Sequence, residues 1–218
     1  MPAKLILAFD TSAAHCAAAL LRGDEVLAAR LEPMAKGQAE RLMPLLEEVL
    51  AEAGAGWRDL SAVAVGIGPG NFTGIRISVA AARGLALSLR IPAIGVGTLE
   101  ALAMDLPRPL LSVTDARRGE VYAQGFGAGP AEPRLMTAEA LVADLPPGLA
   151  LVGDGAAVLQ ALRPDLRERS PALPFAEALA RIAAARLATG APQPRPAPMY
   201  LRSADAAPAS DPPPVLLP

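Results

Sequence analysis

The sequence predicts an α/β fold in two lobes, the second reduced, and three observations carry that expectation. Short apolar runs end in polar turns, as where residues 5–9 lead into Asp10, Thr11 and Ser12, which is the pattern of a buried strand. Stretches with a helical apolar stripe alternate with such runs. The order of elements in the first half of the chain partly recurs in the second.

After the first strand, residues 16–21 and 26–31 are two more strand segments, and the turn-like Arg22-Gly23-Asp24-Glu25 joins them as a hairpin. Gln38 to Glu52 is a helix, with Leu42, Leu45, Leu46, Val49 and Ala53 spaced along one stripe and Gly54 and Gly56 ending it. Residues 62–67 are uniformly apolar, as in a strand covered on both faces. A glycine-rich turn opens a second helix over 73–89, Pro92 ends it, and Ala93 to Val96 is a short strand. This order, β-β-β-α-β-α-β, is a meander followed by crossover helices. It defines a ribonuclease H-like half, which occurs twice in actin-like proteins.

The second half echoes it. Residues 110–114 form a strand ending at Asp115, and Glu120 to Phe126 is its hairpin partner across Arg117-Arg118-Gly119. Residues 130–133 are loop. Helices over 137–143 and 156–162 flank a strand at 150–152, and 176–187 is the last helix. Pro192, Pro194, Pro196 and Pro198 then demand extended chain. The expected division is a first lobe over 1–100 that carries the interaction helices, a shorter second lobe over 101–190, an extended return segment over 191–203 and a flexible Ala/Pro-rich tail over 204–218.

Composition narrows the function. The chain has 218 residues, 52% hydrophobic and 19% charged, enough to build a sizeable core. Its net charge of -2, with Lys4 and Lys36 as the only lysines, gives no basic stripe for gripping nucleic acid unaided. One cysteine, Cys16, excludes an internal disulfide and fits a reducing compartment. The chain enters a strand almost at once, without a leader pattern. No run reaches roughly 18 uninterrupted apolar residues. The expectation is a cytoplasmic protein without a membrane partner.

The residues that carry chemistry are few. His15 and Cys16 are the only residues of their types, so neither a His/Cys zinc site nor a His-based triad can be assembled. His15 reads as a surface turn residue. There is no P-loop and no G-x-G-x-x-G after a strand. Gly66, Gly68 and Gly70 permit close backbone approach, Thr73 is placed to cap the following helix, and such a helix start can hold an anion. The competing reading is a tight turn that binds nothing. Asp10 and Asp115 stand at the ends of corresponding strands and could hold Mg²⁺ through water. Alternatively, each accepts hydrogen bonds from its own turn. Asp10, Thr11, Ser12, Gly68, Gly70, Thr73 and Asp115 are therefore candidates for vestigial phosphate or nucleotide contacts. No catalytic residue and no metal ligand is assigned.

The helix over 73–89 says more. Ile75, Val79, Ala82, Ala86 and Leu89 share one face. Ile77, Ala80, Ala81, Gly84 and Ser88 make a second, small-residue face, with Arg76 and Arg83 between. A helix apolar or small nearly all round needs cover on two sides, and the small side allows another helix to come close. With Leu42, Leu45, Leu46 and Val49 of the preceding helix, Arg76, Ile77, Ala80, Ala81, Gly84 and Ser88 form the expected dimer or partner interface.

Four segments together resemble the TsaB (YeaZ) family: the start Leu7-Ala8-Phe9-Asp10-Thr11-Ser12, the block from Gly66 to Arg76 with Gly68-Pro69-Gly70-Asn71-Phe72-Thr73-Gly74, the run Asp115-Ala116-Arg117-Arg118-Gly119-Glu120-Val121-Tyr122, and Pro198-Met199-Tyr200-Leu201-Arg202. The resemblance implies an actin-like (ASKHA) pseudo-enzyme, the non-catalytic partner in threonylcarbamoylation of N6 of the anticodon-adjacent adenosine, in tRNAs that read codons beginning with A. It implies TsaD, a catalytic paralogue with an HxxxH metal motif, and TsaE, a P-loop ATPase, as partners, and a homodimer when the chain is alone. It implies tRNA contact only through the complex, and no cofactor of its own, because ATP or ADP and the metal belong to the partner complex. Members often carry a His where this chain has Gln38, close to the expected interface. The competing expectations are an active small-molecule kinase or ATPase of the same superfold, for which a full second set of nucleotide loops is lacking, and a peptidase, for which no nucleophile–base pair is visible.

Overall fold

The computed structural model describes residues 3–202, so the expected tail over 204–218 lies outside the described residues. The first sheet holds β1 (Leu5–Asp10), β2 (His15–Arg22), β3 (Glu25–Pro33), β4 (Ala62–Gly66) and β5 (Ala93–Val96), in the order β3-β2-β1-β4-β5. β1, β2 and β3 run antiparallel as a meander, whereas β4 and β5 lie parallel to β1. The crossovers are α1 (Gln38–Glu52) and α2 (Phe72–Leu89). A short helix α3 (Thr98–Leu102) leads to the second sheet.

The second sheet repeats the plan. β6 (Leu110–Arg117), β7 (Glu120–Phe126) and β8 (Arg134–Thr137) form its meander, and β9 (Ala150–Val152) and β10 (Arg167–Arg169) its parallel edge. Its crossovers shrink to α4 (Ala138–Ala143) and α5 (Ala156–Leu162). The last helix, α6 (Phe175–Ala188), falls within the 101–190 stretch but packs on β1 and β2 of the first sheet. α3, β8 and β10 have no counterpart in the sequence expectation.

β1 shows how the sequence builds the core. All of its residues are buried, and alternation divides them: Leu5, Leu7 and Phe9 join the α1/α2 layer, whereas Ile6 and Ala8 join the α6 layer. α1 has the expected ends, and after Ala53 the chain turns at Gly54 (φ 62) with the Ala55 amide donating to the Leu50 carbonyl at 2.9 Å. Leu42, Leu45, Leu46 and Val49 of α1 are fully buried in this chain's own core. Their assignment to a partner interface is therefore corrected: the stripe faces β2 and β3. Arg41 ties the outer side of α1 to β3, bonding Glu32 at 2.6 and 2.7 Å and Glu48 at 2.6 Å.

Candidate functional site: the glycine turn and the outer face of α2

Asp10 ends β1 with 0% exposure. Its Oδ1 accepts from the Ser12 amide at 2.8 Å and the Ser12 hydroxyl at 2.9 Å, and lies 2.9 Å from His15 Nε2. His15 is thus no loose turn residue: it starts β2, pairs with Asp10 and sits 5.9 Å from the Phe175 ring of α6. Asp10 Oδ2 has no hydrogen-bond partner among the described residues. It is pressed against the Cα of Gly66, where an added Cβ would lie 1.9 Å from it. This close approach is the reason for glycine at 66.

The turn from Gly68 to Gly74 meets the Asp10–Ser12 loop just as tightly. Thr11 Oγ1 donates to the Gly74 carbonyl at 2.7 Å, the Asn71 amide donates to the Ser12 carbonyl at 2.6 Å, and a Cβ on Gly74 would reach 1.9 Å from the Thr11 carbonyl oxygen. The cap of α2 is Asn71, whose side chain accepts from the Gly74 amide at 2.9 Å. This corrects the assignment to Thr73, which lies exposed in the first turn. Asn71 wins because its Oδ1 reaches the amide three residues on from outside the helix. Gly68 (φ 94) and exposed Gly70 shape the turn, and the Gly68 carbonyl accepts from the Thr98 amide at 2.8 Å. The amides of Asn71 and Gly74, the hydroxyl of Thr11 and the carbonyl of Gly68 thus have partners within the chain.

Asp115 occupies the matching place in the second sheet. Its Oδ1 accepts from the Arg117 amide at 2.7 Å, its amide donates to Asp154 Oδ1 at 3.0 Å, and the turn continues through Arg117, Arg118 and Gly119 at positive φ. Asp10 is buried and Asp115 is exposed, yet each holds the amide two residues on. Among the described residues no group of three or more His, Cys, Asp or Glu side chains is placed to hold a metal ion.

The return segment joins these two turns. The Met199 amide donates to the Ile67 carbonyl at 2.7 Å, and Arg202 donates to the Ala116 carbonyl at 2.9 Å and to Glu120 at 2.6 Å. Between them the Tyr200 hydroxyl accepts from Arg76 Nε at 2.7 Å. The Arg76 guanidinium lies 3.7 Å above the Phe72 ring, whose centroid is 4.9 Å from that of Tyr200. Phe72 and Tyr200 are 41% and 46% exposed, an aromatic–arginine cluster of the type that anchors interfaces. The sequence reading passed over both rings. Their signal was Phe72 standing one turn before Arg76 on α2.

α2 divides as its sequence pattern requires. Ile75, Val79 and Ala82 are buried against the sheet, with Ala86 and Leu89 half-buried. On the outer side Ala80, Gly84 and Ser88 are exposed, Arg76 and Arg83 flank them, and Leu87 is 82% exposed. Ile77 and Ala81 are half-buried at the border and pack against this chain's own core. A Cβ on Gly84 would meet nothing within 4 Å. α2 is long and apolar enough, by length and composition, to cross a membrane, but one of its faces is built into the sheet and two arginines flank the other.

Burial pushes the Cys16 thiol up to about 11, with nearby Glu32 adding to the effect. The hydrogen bonds from Arg41 hold Glu32 and Glu48 below the usual carboxylate value.

Paired half-domains, each a three-strand meander with two parallel strands behind it, define the actin-like (ASKHA) class. Component A of (R)-2-hydroxyglutaryl-CoA dehydratase from Acidaminococcus fermentans shares this fold, with a TM-score of 0.53 at 11% identity over 85% of this chain and 99% of that one. A family model described as TsaD, tRNA N6-adenosine threonylcarbamoyltransferase, matches residues 32–144. YeaZ from Pseudomonas aeruginosa superposes with a TM-score of 0.71 at 31% identity, covering 91% of this chain and 100% of that chain. The tRNA threonylcarbamoyladenosine biosynthesis protein TsaB of Escherichia coli is 39% identical over 122 residues, 54% of this chain and 52% of the relative. The matched part thus spans about half the length of that relative. The chain belongs to the TsaB/YeaZ family.

Proposed function

We propose that this chain is the non-catalytic partner subunit of the cytoplasmic complex that adds the threonylcarbamoyl group to N6 of the anticodon-adjacent adenosine in tRNAs reading codons that begin with A. It docks the catalytic paralogue TsaD on the outer face of α2, with TsaE joining the assembly. Alone, it covers the same face with a second copy of itself. The observation that carries this is the uncovered small-residue surface of α2, with Ala80, Gly84 and Ser88 exposed beside Leu87. Small side chains let a second helix approach closely, and Arg76, Phe72 and Tyr200 supply an anchor at one end.

The Asp10 loop supports a structural role for the glycine turn. Its hydrogen-bonding groups are largely engaged within the chain, so ATP or ADP and the metal belong to the partner, and tRNA is reached through the complex. The test is capture of TsaD by the Gly84→Glu variant. The open surroundings of Gly84 leave the fold intact by circular dichroism, while capture and self-association in gel filtration fall at least tenfold. Undiminished capture would overturn the docking face. ATP turnover by the purified chain alone would overturn the non-catalytic role in favour of the kinase alternative.

A further inference from the structure

A second surface lies away from both the glycine turn and α2. Where the N-terminal end of β6 meets β9 and β10, a cleft of about 370 Å³ is lined by Pro107, Pro109, Pro146 and Pro147 and by three arginines, Arg108, Arg167 and Arg169. No Asp or Glu is among its lining residues. β10 is an edge strand, bonded only to β9, and all three of its residues are exposed. Side-chain alternation puts Arg167 and Arg169 on one side and Glu168 on the other, in agreement with a cleft that includes the two arginines and omits the glutamate.

Among the described residues, none of the three arginines forms an ion pair. The Arg108 guanidinium is held 4.2 Å above the Phe126 ring. Asp165, which accepts from the amide of the lining residue Gly148 at 3.0 Å, is itself paired with Arg163 at 2.8 Å. Three arginine cations thus face one cleft in a chain whose net charge is -2, so the positive potential is local.

We infer that this proline-walled cleft is an RNA contact, in which Arg108, Arg167 and Arg169 take backbone phosphates and the proline rings carry ribose or base. Guanidinium forks match phosphate oxygens bidentately, and the saturated proline rings offer an apolar wall to ribose and base. The choice of RNA rests on the proposed function, which already brings tRNA to the assembly. The cleft shares no residue with α2.

The experiment measures fluorescence anisotropy of a fluorescein-labelled, unmodified tRNA transcript with the full chain assembled with TsaD and TsaE, across a salt series. Each phosphate contact adds roughly 0.7 to 0.9 to the slope of log affinity against log salt. The Arg167→Gln/Arg169→Gln variant should therefore bind about tenfold more weakly at low salt and lower the slope by about 1.4 to 1.8. Arg22→Gln and Arg58→Gln, exposed elsewhere, should leave both unchanged. Equal affinity and slope in the cleft variant would overturn the inference. So would displacement of the tRNA by polyglutamate at matched charge, which would assign the cleft to acidic proteins. TsaD capture by the same variant separates the two proposals: loss of RNA binding with capture retained supports the cleft, and loss of capture alone would concern only the docking reading.

Discussion

Replacing Gly66 by alanine places a methyl group 1.9 Å from Asp10 Oδ2 and 2.8 Å from its Cγ. Asp10 has little room to yield, because it is fully buried and its other oxygen binds Ser12 twice and His15 once. Overpacking of this kind costs about 1–3 kcal/mol. Turning the carboxyl away forfeits one or two hydrogen bonds at about 1 kcal/mol each. The expected loss is about 3–4 kcal/mol, read as a lower urea midpoint with an unchanged slope and as a melting temperature lower by roughly 10 °C for a chain of this length. Gly84→Ala is the contrast, since its methyl meets nothing within 4 Å and the helix gains about 1 kcal/mol. Adding Asp10→Ala removes the obstacle, so the double variant should be less destabilised than the sum of the singles by at least about 1 kcal/mol. A loss below about 1 kcal/mol for Gly66→Ala, or strict additivity with Asp10→Ala, would refute the steric account.

Other expectations concern the periphery. Arg41 depresses Glu32 and Glu48 below their ordinary value of 4.5, so the unfolded chain binds more protons as acid is added. Their contribution is complete above that pH and is lost as pH falls through the lower folded values. Arg41→Met should flatten the acid limb of urea midpoints measured below pH 4.5, and an identical limb would exclude the network as its source. Cys16, buried and raised to about 11, should resist a thiol reagent at neutral pH and react at the rate of global opening; rapid labelling without denaturant would contradict this. Arg202→Ala should speed hydrogen exchange in the 115–120 turn while leaving β1 protected, and uniform acceleration would show that the contact supports the whole fold.

Much of the fold was legible because its long helices are periodic and its central strands are uniformly apolar. α1 keeps its expected bounds, and β5, β7, β9 and α5 lie where the apolar runs placed them. The omissions share a physical cause. β10 is three exposed charged or polar-headed residues whose strand character comes from backbone pairing to β9 alone, and α3 and β8 are too short for a period to show. Periodicity identified the stripe of Leu42, Leu45, Leu46 and Val49 but could not tell whose surface it meets; the chain's own sheet takes it. On α2, two distinct faces were visible, and the outer one is exposed. The Asp10–His15 pair was hidden because it depends on how tightly the chain turns between β1 and β2.

The docking of α6 has a consequence for how the molecule is made. Ile6, Ala8, Ala62, Ala64, Ile94 and Val96 form one side of the first sheet, and the residues that cover them, Leu179, Ile182 and Ala183 among them, come from the far end of the chain. On the ribosome this side therefore stays bare until residues 175–188 emerge, long after the meander and its crossovers are complete. A fragment ending near residue 100 would present that bare side to solvent and should aggregate. Any excised first lobe must carry the 175–188 helix with it, and a nascent chain stalled before that helix is a natural client for a holdase.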